Sequence, residues 1–195
     1  MKKLGELVKP YISIVFGALL FLLSFNNLSA TGEQLALGII AVILACYYVC
    51  SGILGVVLGD KLPAGLRSVF DILNVTLFPT FFFVSVILSV SEFGKYMGPT
   101  AWVIDIFAMM SAPALVGTYI ASKFVKHKVV VRLSVLFAML FALSLVLNLL
   151  FNPLGGEIAL GELPVVTLLC YVAFAVLLFN SFNKKEAEQI EVKAE

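Results

Sequence analysis

Charge is what this sequence has least of. Asp, Glu, Lys and Arg make up 13% of its 195 residues, about half the share found in a soluble domain. Hydrophobic residues reach 62%, so a water-soluble chain of this length would be covered in apolar patches. The formal net charge of +1 provides no basic footprint for a nucleic acid, which is excluded as a partner. Histidine is missing from every apolar stretch, because the single His127 lies in a basic loop. Of the three cysteines, Cys46 and Cys50 share a helix face and Cys170 is far along the chain. Zinc wants four ligands, so no metal site is expected, and the cysteines read as small hydrophobes. A Walker loop, HExxH, GxSxG and CxxC are all lacking, so nothing pairs a nucleophile with a base. The chain reads as a protein that is not an enzyme and needs no cofactor.

What is present is a series of six apolar segments, here A (11–30), B (34–58), C (66–91), D (99–122), E (129–151) and F (163–182). Each has roughly the 20 residues that a helix needs to cross a bilayer. Barrel strands would be about ten residues long with alternating polarity, which these are not. The predicted fold is all-α: a single six-helix transmembrane domain over 1–182, followed by a charged tail over 183–195.

Every Lys and Arg except Lys95 falls on one side of that weave. Short loops rich in basic residues stay in the cytoplasm, so both termini are expected there, in a multi-pass protein of the plasma membrane. An odd number of spans would scatter the cations across both faces. Lys2 and Lys3 before an apolar run ending in Leu28-Ser29-Ala30 have the outline of a secretory signal. The run is longer than a signal core and continues into the six-span pattern, so it is expected to remain as a span.

The embedded polar residues are few. Segment C carries Asp71 and Pro79, and segment D carries Asp105 and Pro113. An ionisable group in a span usually faces the bundle interior or a watery cavity. A proline there frees the carbonyl one turn earlier, Val75 for Pro79 and Met109 for Pro113. The 66–124 hairpin is therefore the expected wall of a small polar cavity. Asp71 should lie about 8 Å in from one face and Asp105 about 9 Å in from the other. That leaves roughly 13 Å between them in a core of about 30 Å, too far to share a proton. Asp71 has Arg67 one turn before it and Asn74 three residues on; Arg67 can equally reach the headgroups and anchor the helix. Asp105 has no basic residue within a turn, only Trp102 and Met109 beside it and Thr80 across on segment C. It either takes up a proton or sits in a hydrated outward vestibule.

Segment E offers Ser144, Asn148 and Asn152 as one polar stripe, suited to bonding neighbouring helices or lining a ligand path. Ser51, Gly55 and Gly59 form a ridge of small residues for close packing, within the bundle or between protomers. Tyr11, Tyr96 and Trp102 fall where interfacial aromatics are expected, and Phe81-Phe82-Phe83 is expected to meet lipid and segment E. Asp105, Thr80, Asp71 and Asn148 are the candidate binding residues.

The two ends of the chain share a pattern. Phe25-Asn26-Asn27-Leu28 matches Phe151-Asn152-Pro153-Leu154, Glu33 matches Glu157, and Cys46-Tyr47 matches Cys170-Tyr171. Both pairs enter from the same side, so a duplication would be parallel. The Asn-Asn or Asn-Pro turn followed by Ala45-Cys46-Tyr47-Tyr48-Val49-Cys50-Ser51-Gly52-Ile53 resembles the repeated hairpin of HdeD-type membrane proteins. The match covers 14–56 and more weakly 133–182, leaving the C–D hairpin outside it, and segment F lacks the Ser-Gly-Ile ending. The resemblance implies a small six-span bacterial protein linked to acid resistance, and brings no catalytic motif.

Three functions fit these features. The first is transport, membrane permeability or stress tolerance, with Asp105→Asn expected to abolish activity. The second is a substrate-binding subunit of a multi-component, energy-coupling-factor-like transporter. The third is an assembly factor docking through the Ser51–Gly59 ridge. The expected partners are the lipid bilayer, a small solute or ion, and a second copy or transporter subunits.

Overall fold

Apolar runs that have no water to bond their amides can satisfy them within the segment only as helices. The computed structural model describes residues 2–25, 28, 32–93, 99–125, 127–151 and 164–191. They form α1 (Lys2–Phe25), α2 (Glu33–Leu58), α3 (Ala64–Phe93), α4 (Pro99–Phe124), α5 (Lys128–Phe151) and α6 (Pro164–Glu191). Among the described residues there is no strand. All six of these helices are long and apolar enough to cross a membrane, so the chain is all-helical and multi-pass as expected. Large apolar side chains such as Ile43, Val57, Val103 and Leu150 are more than 60% exposed, as lipid-facing residues are. The turn motifs at 26–27 and 152–154, with Lys95, Tyr96 and Glu157, lie outside the described residues.

Two helix ends differ from the bounds that the apolar segments suggest. Segment A begins only after Pro10, yet α1 runs through that proline from Lys2. A proline ring projects from its helix, and here glycine on α2 makes room for it. A methyl group on Gly55 would stand 3.1 Å from Pro10 Cβ. At the other end α6 runs on to Glu191, carried by the strong helix formers of the tail.

The closest packing in the bundle is between α1 and α2, and small residues cause it. A methyl on Gly17 would meet the Ala45 carbonyl oxygen at 2.8 Å, and one on Gly52 would meet the Pro10 carbonyl oxygen at 2.7 Å. Both obstacles are backbone, so neither can swing aside. The Ser51–Gly55 ridge is thus turned inward onto α1. Gly59 does not belong to it: with φ of +46° it ends α2 and enters a short turn over Gly59–Lys61.

The remaining helices close a ring in which α1 also meets α6, while α5 packs chiefly on α4. Half of each apolar stretch of α3 and α6 is buried, against 28% for α2, which makes α3 and α6 the inner helices. Phe78 on α3 lies 4.6 Å from Phe174 on α6 and 5.1 Å from Phe16 on α1. Phe82 reaches α5 at Phe141, 5.7 Å away. The contact with segment E is therefore as expected, but the lipid exposure is not: Phe81 and Phe82 are buried. They face inward because α3 is surrounded, which its own composition cannot reveal.

The end pairs do not pack alike. With the registers that align Cys46 and Cys170, the α2 glycines Gly52 and Gly55 correspond to Val176 and Phe179 on α6. Bulky residues replace the notches that let α1 approach α2, and α5 takes α4 as its main neighbour. Cys46 is exposed whereas Cys170 is buried, so matched letters occupy opposite environments.

Candidate functional site

One end of the bundle gathers the polar groups that the sequence scatters. Lys9 near the start of α1 forms an ion pair with Asp71 near the start of α3. Tyr119, near the end of α4, donates to the Asp71 carbonyl at 3.5 Å. Its ring meets Phe182 of α6. The starts of α1 and α3 and the ends of α4 and α6 therefore lie together.

Within that end is a cavity of about 170 Å³. Its polar wall comes from Lys9 and Ser13 of α1, Ser51 of α2, Arg67, Asp71 and Asn74 of α3, and Asn180 of α6. Gly52 and Gly55 supply a wall with no side chain, so the notches that seat α1 also leave open space beside it. The Lys9 and Asp71 side chains are 18% and 17% exposed, neither sealed in the core nor free at the surface. An ion pair in this state is partly desolvated yet reachable.

A hydrogen-bonded floor holds the wall in place. Tyr48, fully buried, donates from its hydroxyl to the Asn74 carbonyl at 3.0 Å. The Tyr48 carbonyl in turn accepts from Ser13 at 2.9 Å and from Ser51 at 3.1 Å. Ser51 also lies 3.5 Å from Asn74 Oδ1. Three helices are thereby tied through one tyrosine, and each hydroxyl has a backbone carbonyl as its anchor. The Tyr47 hydroxyl is different: it is buried and has no partner among the described residues. Tyr47 does not itself line the cavity, but its ring stands 6.5 Å from that of Phe70, which does.

The partner of Asp71 corrects the expectation from spacing. Arg67 and Asp71 are one turn apart on one helix, which suggests a pair between them. In the structure the Arg67 guanidinium donates to the Gly59 carbonyl at 3.2 Å. That oxygen lies just past the end of α2, where a cation is favoured by the helix dipole. The ion pair is made across the bundle, by Lys9. Part of that signal is in the sequence, since charge and depth sort Lys9 and Asp71 to the same face.

The four candidate binding residues are not brought together. Asp71 alone lines the cavity. Thr80 is exposed and donates back to the Thr76 carbonyl at 2.7 Å. Thr76 does the same to Ile72 at 2.9 Å, so the two hydroxyls bracket the carbonyl that Pro79 frees. Such back-bonding eases a bent helix and makes no site. Asp105 is 2% exposed and Asn148 is 4% exposed. They sit at the same level of the α4–α5 hairpin, near the end away from the cavity. Asp71 is beside Tyr119, fourteen residues along α4 from Asp105, roughly 20 Å by helical rise. The two aspartates are thus separate, as depth alone implied. This cavity draws Arg67, Asp71 and Asn74 from α3 of the 66–124 hairpin and is completed by α1, α2 and α6 rather than by α4.

Ser144 donates to the Phe141 carbonyl of its own helix at 2.7 Å, neither to a neighbouring helix nor into the cavity; Asn152 lies outside the described residues. Lys9 and Ser13 of α1, Tyr47 of α2 and Asn180 of α6 carry no shared signal in the sequence, because they stand on three different helices and only packing brings those helices together. Among the described residues no cluster of His, Cys, Asp and Glu could hold a metal. Compared with protein-family models, curated proteins and solved structures, the chain matches none.

Proposed function

We propose that this is a non-enzymatic protein of the bacterial plasma membrane, with both termini in the cytoplasm, that binds a small polar solute in the Lys9–Asp71 cavity and passes it across the bilayer. The observation that carries this reading is the half-accessible ion pair on the wall of a cavity. A pair serving the fold alone is best packed shut, whereas this one borders open space lined with hydroxyls and carboxamides. Positive-inside sorting places that cavity at the cytoplasmic mouth. The HdeD-like hairpin pattern points to acid stress as the condition under which to look for a phenotype. The same cavity would serve a substrate-binding subunit of a larger transporter, which copurification with ATPase components would distinguish. The assembly-factor reading loses its docking face, since α1 already occupies the glycine ridge.

The test compares Asp71→Asn with Asp105→Asn in cells, assayed for uptake, efflux and acid survival at matched membrane abundance. Asp71→Asn is expected to abolish the activity and Asp105→Asn to retain most of it. Full activity in Asp71→Asn would sink the proposal.

A further inference from the structure

We infer that the ligand of this cavity is a small zwitterion, a molecule the size of an α-amino acid whose ammonium group takes Asp71 and whose carboxylate takes Lys9. The inference rests on the cavity reading above and adds the chemical class of the solute.

Size sets the first bound. A cavity of about 150 Å³ accepts a molecule as large as benzene, so about 170 Å³ suits roughly six to ten non-hydrogen atoms. Charge sets the second. Lys9 and Asp71 are paired, while Arg67, the third charged lining residue, is turned to the Gly59 carbonyl, and a charged ligand that engages one member of the pair leaves the other without its partner in a partly desolvated place. A simple anion on Lys9 strands Asp71; a simple cation on Asp71 strands Lys9. A zwitterion inserted between them replaces one ion pair by two and adds no net charge, so neither side chain is left uncompensated.

Uncharged donors and acceptors also line the cavity. The Ser13 and Ser51 hydroxyls, 3.3 Å apart and both within reach of the Tyr48 carbonyl, together with Asn74 Oδ1, are acceptors for an incoming ammonium group. Asn180 of α6, which also lines the cavity, has amide donors for a carboxylate. Donors and acceptors for both ends of a zwitterion are therefore present around the one ion pair.

The experiment measures binding to the full-length protein in lipid nanodiscs by calorimetry. The probes are α-amino acids of that size, the deaminated carboxylic acids, the decarboxylated amines and neutral polyols. The amino acids are expected to bind at least tenfold tighter than either truncated series, and Asp71→Asn and Lys9→Gln each to lose at least tenfold. The reversed pair, Lys9→Asp with Asp71→Lys, keeps the attraction that holds α1 to α3, and should restore thermal stability without restoring affinity. Where the reversed pair does not fold, the near-isosteric Asp71→Asn carries the test alone. Equal binding of the acid or amine series, or undiminished amino-acid binding to Asp71→Asn, overturns the inference while leaving a binding cavity. Binding of no probe class overturns the cavity reading and this inference with it.

Discussion

At the scale of single residues, the decisive contact is the one between Lys9 and Asp71. Exposed pairs contribute about 0–1 kcal/mol, and removing one partner of a fully buried pair costs about 3–5 kcal/mol. With side chains 18% and 17% exposed, this pair falls between those limits. Asp71→Ala is expected to cost about 2 kcal/mol, read from unfolding in lipid nanodiscs. The double variant Lys9→Met/Asp71→Leu should cost less than the sum of its single changes, because it strands no charge. Strict additivity would show that the two side chains do not interact. Tyr48 makes a contrasting case. Tyr48→Phe keeps the ring against Phe16, 4.7 Å away, but removes the bond to the Asn74 carbonyl. The expected loss is about 1–2 kcal/mol, with solute handling weakened as Asn74 loosens.

Among elements, glycine separates the tight interface from the loose ones. Gly17→Ala would drive a methyl against the backbone of α2, a strain of about 1–3 kcal/mol. Gly117, within α4, faces open space, with nothing within 4 Å of where a methyl would stand. Gly117→Ala should therefore be neutral or stabilising by up to about 1 kcal/mol. Thermal unfolding of the two variants side by side checks this, and equal effects would mean that α1 and α2 are not so close. The small-xxx-small pattern on α2 is legible from sequence, whereas its partner is not. Ser51 and Gly55 show that a ridge exists, but only Pro10 and Ser13 opposite them show that α1 fills it. The polar stripe of α5 is ambiguous in sequence for a related reason. A serine bonding its own helix and a serine lining a path have the same spacing.

For the whole molecule, the even number of spans and the sorting of cations make one joint statement about topology. Single cysteines introduced as Lys126→Cys and Lys184→Cys, in a chain freed of its native cysteines, should react with an impermeant maleimide only from the cytoplasmic side. Labelling from opposite sides would break the six-span arrangement and the location of the cavity mouth. Native Cys46 and Cys50 are exposed on the bundle surface, facing the apolar surroundings of the spans. They should stay unlabelled until detergent replaces the lipid.

Composition and spacing by themselves determined that the chain is helical and that six of its helices are long and apolar enough to cross a membrane. These follow from backbone hydrogen bonding and the cost of moving charge through lipid, both of which act on each segment alone. The separation of Asp71 from Asp105 was likewise readable, because helical rise converts residue number into depth. Tertiary structure alone decided which side chains meet. Lys9, Asp71, Ser51 and Asn180 stand on four different helices, and depth says nothing about rotation around the bundle axis. That rotation is set by where backbones can approach, at Gly17, Gly52 and Gly55, and by the aromatic core centred on Phe78. Packing thus assembles a polar cavity at the junction of the first three helices with the last, from residues that no single segment groups together.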